Sequence, residues 1–291
     1  MMSNWTLDDI PWDSFDPSKV NRELIPVVKA ASMVEYNADD YRRYLNRVFA
    51  GDDRVCRAID QWSVEEVQHG RALGEWARLA DPDFDFERSF ERFRASFQVP
   101  LDVEASVRGS HSGELVARCM VETGTSSFYS ALSDATDEPV LKEICRRISD
   151  DEHAHYHLFH SHLRRYLQTE NLTVMQRFRI AFARTAETED DELATAYWAA
   201  NRAGERFDRR SNAVAYARAT LKYYRPAHVR SAVEMIFGAV GLDPSGPLGW
   251  IATRAVRAFM WYRGRFTPRL AMLRARITDS LHSLQLREQR T

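Results

Sequence analysis

Apolar residues recur at helical spacing through most of the chain. One stripe reads Ile59, Trp62, Glu66, His69, Leu73 and Trp76; another reads Ile144, Ile148, Glu152, His155 and Phe159. Steps of three and four place each set on one face of a helix. Two further stripes run Val28, Ala31, Glu35, Ala38 and Leu45, and Leu115, Cys119, Glu122, Ser126 and Tyr129. Proline marks where helices stop, because it lacks the N–H and clashes with the preceding turn. There is none from Val27 to Asp81, from Leu101 to Glu138 or from Val140 to Arg225. The pattern predicts long helices over about Pro26–Ala50, Asp52–Ala80, Ser112–Ala135 and Asp137–Gln168, the last with Asp137 as its cap and Pro139 in its first turn. Asp81–Gly109 reads as a partly helical crossover, and Asn171 to about Leu242 as further helices. A break at Gly241–Gly249 precedes a last helix reaching about Leu284. No hairpin signal and no glycine-rich loop after a strand is found, so the expected class is all-α.

The four stripes share one oddity: each carries a Glu where an apolar residue belongs. Two also carry a His three residues later, Glu66 with His69 and Glu152 with His155. Residues three apart lie one turn apart on a face, so each pair can grip one ion. Glu35 precedes Glu66 by 31 residues and Glu122 precedes Glu152 by 30, so the two half-sites form an internal repeat. Four buried acids are costly unless paired, and two metal ions neutralise them. This ligand pattern is that of ferritin-like di-iron and di-manganese carboxylate proteins, a four-helix bundle with ligands projecting inward. Carboxylate and imidazole donors without thiolate suit Fe or Mn. Glu65 and Asp151 precede the two ligand acids. Metal-bound His commonly gives its free N–H to a carboxylate, and the repeat assigns Asp151 to His69 and Glu65 to His155; the alternative is a solvated acid. His153, His157, His160 and His162 read as surface or supporting groups, and His111, His228 and His282 have no visible partner.

Composition narrows the class. Forty Lys plus Arg against 42 Asp plus Glu give a net charge of −2, which argues against a protein living on nucleic-acid phosphates. The three cysteines, Cys56, Cys119 and Cys145, have neither disulfide-framework nor metal-finger spacing and read as reduced core thiols of a cytoplasmic protein. No apolar run is long enough to span a membrane, and Met1–Asp16 has no basic and apolar leader pattern. The charge is unevenly spread: Gly246–Thr291 holds nine Arg and two acids. That stretch is either a solvated basic face or a dock for an acidic partner or an anionic membrane surface. The expected organisation is an N-terminal extension (1–19), a metal-binding bundle (20–170) and additional helices packed on it (171–291).

From about Leu24 to Leu167 the chain resembles the soluble acyl-carrier-protein desaturases. Trp62 to Gly70 matches their W-x-x-E-E-x-x-H-G segment, and Asp151 to His155 their D-E-x-x-H. Met33 to Tyr36 followed by Asp40 and Tyr41 is similar to their first Glu helix, and Glu122 to Thr125 to their E-x-x-T. The resemblance implies Glu35, Glu66, His69, Glu122, Glu152 and His155 as ligands of two Fe ions, with O2 as co-substrate. It implies a role for Thr125 in handling protons beside the oxygen pocket. It also implies an acyl carrier protein and a ferredoxin as partners, a homodimer, and an N-terminal aromatic on the electron route, for which Trp12 is the candidate. Asp81–Gly109 and the chain after Asn171 match poorly, and these parts would form the substrate channel. Met33, Met120, Phe128 and Tyr129 are the expected channel walls.

The expected activity is therefore O2-dependent oxidation of an unactivated C–H bond, first of all desaturation of a fatty acyl chain. The alternatives are a di-iron hydroxylase or N-oxygenase on another substrate, and a ferritin-like iron-oxidising or iron-binding protein. A narrow apolar tunnel favours the first, and a wider cavity with polar groups the second.

Overall fold

The computed structural model describes residues 5–103, 105–188 and 191–260. Three 3-10 turns, Leu7–Asp9, Trp12–Ser14 and Pro17–Lys19, lead into a wholly helical chain, with no strand among the described residues. The expected first helix is two: α1 (Ile25–Tyr36) and α2 (Ala38–Val48), separated at Asn37. At the break Asn37 N bonds Val34 O, three residues back rather than four. α3 (Asp53–Ala80) starts where Asp52 accepts from Val55 N, and α5 (His111–Ala135) where Ser110 accepts from Gly113 N. These side chains satisfy N–H groups that the first turn leaves without partners. α6 (Pro139–Tyr166) is capped by Glu138, not Asp137: its carboxylate accepts from Val140 N and Leu141 N and from the Trp76 indole. The crossover contains α4 (Phe86–Ser96). Beyond residue 171 lie α7 (Val174–Thr188), α8 (Glu192–Asn201), α9 (Arg209–Leu221) and α10 (Pro226–Val240), and residues 247–260 are again helical.

α1 packs along α3, α5 along α6, and α3 against α6. The four inward faces share one vertical order. Along α3, Ile59 and Trp62 belong to one apolar core and Leu73 and Trp76 to another, with Glu66 and His69 between. α5 repeats this order, with Leu115 and Cys119 before Glu122, then Tyr129 and Leu132. α6 runs the other way, with Ile144 and Ile148 before Glu152 and His155, and Phe159 and Leu163 after. The polar residues therefore sit at one level, sealed above and below by apolar packing. Around this frame α8 packs on α1 and α4, α9 on α8, α7 on α5, and α10 on α5 and α7. Helices α7, α8 and α10 are thus built directly onto the first four segments. Among the described residues no helix is long and apolar enough to cross a membrane. Most of the basic C-terminal stretch lies outside the described residues; in its described part Arg254 sits over the exposed Trp250 ring, 4.7 Å from its centroid.

Candidate metal centre

All six acids and histidines of the repeat converge. Glu122, Glu152, His69 and His155 are fully buried, and Glu35 and Glu66 are 5% exposed. They form two overlapping groups, Glu35, Glu66, His69 and Glu152, and Glu66, Glu122, Glu152 and His155. Within each, one candidate ligand atom per residue lies within 4.8 Å of the others. Glu66 and Glu152 are common to both, so each has the position of a bridge. Each helix contributes through its own periodicity: the three-residue step places Glu66 over His69 and Glu152 over His155.

The imidazoles are aimed by carboxylates from the opposite half of the repeat. His69 Nε2 lies 3.0 Å from Asp151 Oδ2, and His155 Nε2 lies 2.8 Å from Glu65 Oε2. With Nε2 engaged, each ring turns Nδ1 toward the acids. His155 Nδ1 is 3.1 Å from Glu66 Oε1, and His69 Nδ1 is 3.3 Å from Glu152 Oε1, without hydrogen-bond geometry. The Trp5 indole N–H donates to the same Asp151 oxygen at 2.7 Å, and its ring stacks on His69. The Trp12 indole N–H donates to Leu7 O at 2.8 Å. Trp5 belongs to a segment without periodicity, so only the folded chain reveals it.

The donor set fits a pair of metal ions. Glu66 Oε1, Glu122 Oε2, Glu152 Oε1, His69 Nδ1 and His155 Nδ1 are all buried without a hydrogen-bond partner, a concentration of unsatisfied groups that a folded interior avoids. Burial and the nearby Glu66 charge push the Glu35 carboxyl well above the usual carboxylate range, and burial raises Glu122 against the pull of Arg118. Burial also resists ionisation of Glu66 and Glu152, but the attraction of the two imidazoles prevails. Glu66 lies well below its ordinary value, and Glu152 is lowered to about 2. Burial disfavours both imidazolium ions, yet Asp151 and Glu152 hold His69 well above its ordinary value, and Glu152 and Glu65 do the same for His155. Without metal the cluster keeps protons that metal ions would displace.

A cavity of about 250 Å³ opens on the cluster between α5 and the helices beyond residue 171. Phe128 and Met120 line it, as expected; Met33 is packed in the core, and Tyr129 donates its hydroxyl to Glu35 Oε1. Thr125 lines the cavity and its Oγ1 lies 2.8 Å from Glu152 Oε2, closer than the backbone carbonyls of Val121 and Glu122 at 3.2 Å. Three further charged residues, Arg118, Arg184 and Glu192, complete the wall. Arg118 donates to Glu122 Oε1 at 2.7 Å and lies over the Trp62 ring, and Glu192 accepts from the Tyr41 hydroxyl at 2.8 Å. Arg118 had a signal, since it stands four residues before Glu122 on the same face; Glu192 had none, because its partner is 151 residues away.

The remaining histidines lie elsewhere. His153 and His157 are exposed, His162 is buried, His111 pairs with Glu170 and His228 with Asp134; His282 lies outside the described residues. Cys119 and Cys145 are buried and Cys56 half-buried, all as free thiols. No protein-family model and no curated protein matches the chain.

Proposed function

We propose that this chain is a two-iron, O2-dependent oxidoreductase built on a ferritin-like four-helix bundle, oxidising an unactivated C–H bond of an organic substrate held in the cavity. The observation that carries the reading is the overlap of two Glu/Glu/His-containing groups through Glu66 and Glu152, with the imidazoles steered by Asp151 and Glu65. Glu35 and Glu122 are the terminal carboxylates. A reduced iron pair supplies the activation of O2 that no side chain provides. Mn is the alternative for the same donors.

The chain's own groups do the rest. The two apolar cores exclude water from the polar level. The Thr125 hydroxyl is placed to hold or pass a proton at Glu152 Oε2. The cavity wall positions the reacting carbon beside the acids. In desaturation, O2, two electrons, two protons and two substrate hydrogens yield an alkene and two waters. In hydroxylation, O2, two electrons and two protons yield an alcohol and one water. A ferredoxin-type donor supplies the electrons in either case.

The resemblance in the sequence supports an acyl chain on a carrier protein as the desaturation substrate. The charged Arg118 and Glu192 in the cavity wall favour a second reading, hydroxylation or related oxygenation of a more polar molecule. Iron-loaded protein with a ferredoxin reducing system and O2, followed by mass spectrometry of acyl-carrier and small-molecule products, tests the proposal. A gain of one oxygen or a loss of two hydrogens supports it. O2 consumption that never depends on an organic molecule overturns it.

A further inference from the structure

The two halves of the cluster differ in what holds their terminal carboxylates. Glu122 Oε1 accepts from Arg118 Nη2 at 2.7 Å. Arg118 is only 5% exposed, and its guanidinium lies 4.5 Å from the Trp62 ring centroid and 5.4 Å from that of Phe159. A guanidinium is always protonated in a protein, so a full positive charge is fixed against this acid. The other half is built differently. Arg118 stands four residues before Glu122, whereas the residue four before Glu35 is Ala31. Glu35 Oε1 accepts instead from the neutral Tyr129 hydroxyl. On that side Lys29 is paired with Asp81 and Arg147 with Glu143, away from the cluster. Arg184 and Glu192 line the cavity beyond Arg118. Burial raises Glu192, and among the charges acting on it Arg184 outweighs Arg118, so Arg118 remains the partner of Glu122.

We infer that Arg118 makes the two metal positions unequal: the ion held by Glu35 and His69 binds first and more tightly, and the ion held by Glu122 and His155 binds second, against the Arg118 charge. The inference rests on the two-metal reading of the six ligands. Glu66 and Glu152 are common to both positions, and each imidazole has a carboxylate behind it, so these groups do not separate the halves. Charge does. A guanidinium and a divalent ion on the same carboxylate repel each other, and in a buried site that repulsion is little screened. Arg118 occupies Glu122 Oε1, which leaves Oε2, buried and without a hydrogen-bond partner, as the oxygen for the ion. Without metal, Arg118 compensates a buried acid that would be costly alone. It therefore stabilises the empty site and weakens metal binding to it. Its effect on affinity is opposite in sign to that of Asp151 and Glu65, which are acids. Loss of Arg118 also favours a proton on Glu122, but a proton carries half the charge of the ion and gains less.

Calorimetric titration of the metal-free full chain with Mn2+ at one fixed pH, paired with thermal unfolding, tests this. Wild-type protein should take up Mn2+ in two steps, the second at least about tenfold weaker. Glu35→Gln should lose the tight step, and Glu122→Gln should lose the weak step and keep the tight one. Arg118→Gln should strengthen the weak step by about tenfold or more, while the metal-free variant unfolds at a lower temperature than wild type. Arg118→Lys, which keeps the charge, should keep two unequal steps. A residue needed only for packing would lower affinity and unfolding temperature together, so the opposite movement of the two is the signature. Should Arg118→Gln fail to fold, the assignment of steps by Glu35→Gln and Glu122→Gln still decides. Two equal steps in wild type, loss of the weak step in Glu35→Gln, or a folded Arg118→Gln protein with an unstrengthened second step would overturn the inference and leave the two-metal reading standing. A wild-type chain that binds no Mn2+, and no Fe2+ when O2 is excluded, sinks the two-metal reading and the inference with it.

Discussion

His69 is held by Asp151 through Nε2 at 3.0 Å, and that single contact decides which nitrogen faces the acids. An ionised carboxylate accepts only, so it selects the tautomer with the proton on Nε2 and leaves Nδ1 free to ligate. Glu65 does the same for His155 at 2.8 Å. Asp151→Asn and Glu65→Gln should each lower metal affinity about 10–100-fold with the helical content unchanged. Chelator competition with circular dichroism as the fold control checks this; unaltered affinity in both variants would show that these acids do not tune the site.

Gly70 lets α1 and α3 touch beside the cluster. A Cβ built there would lie 2.5 Å from Tyr36 N and 2.7 Å from Tyr36 Cβ, one residue from both Glu35 and His69. Gly70→Ala should therefore push α1 outward, lower stability by about 1–3 kcal/mol and weaken metal retention. Gly124→Ala, which meets nothing within 4 Å and sits inside α5, should leave metal retention unchanged and raise stability by up to about 1 kcal/mol. Thermal unfolding and elemental analysis of the two variants, side by side, make the comparison.

The site was legible in the sequence to the extent that it is periodic. Glu66 with His69 and Glu152 with His155 each stand within one helical turn, and proline spacing bounded the helices that carry them. What escaped depends on contacts between distant segments. Trp5 meets Asp151 across 146 residues and Tyr41 meets Glu192 across 151; no local pattern encodes such pairs. The break at Asn37 also escaped, because the apolar stripe continues from Glu35 to Ala38 and Leu45 across it. Glu138 replaced Asp137 as the cap of α6 because Glu138 reaches both the helix N–H groups and the Trp76 indole.

Metal uptake should release protons. In metal-free protein, burial raises Glu35 and Glu122, and neighbouring carboxylates raise His69 and His155. Groups raised by folding stabilise the protein below their ordinary values, and that contribution is lost as pH rises through the raised ones. Glu152, lowered to about 2, works oppositely: its contribution is present above the ordinary carboxylate range and is lost as pH falls through about 2. Metal-free protein should thus lose stability as pH rises above neutrality, while iron-loaded protein keeps it, because metal replaces those protons. Unfolding temperatures measured from about pH 5 to about pH 9 for both forms show whether the two curves diverge.

The Thr125 hydroxyl contacts Glu152 Oε2 at 2.8 Å. Thr125→Val keeps the shape and removes the proton donor. Metal content should be unchanged, while substrate-dependent O2 turnover should fall about 10²-fold, the lower range for a positioned proton donor. Parallel iron analysis and oxygen-electrode assays separate this from a structural role, which would lower both.

Glu35, Glu66, His69, Glu122, Glu152 and His155 are proposed to hold two metal ions. Elemental analysis of protein folded with ferrous iron, repeated on Glu122→Ala and His155→Ala, tests this. About two irons per wild-type chain and loss of metal in both variants are expected. A folded wild-type chain that takes up no iron or manganese would contradict it.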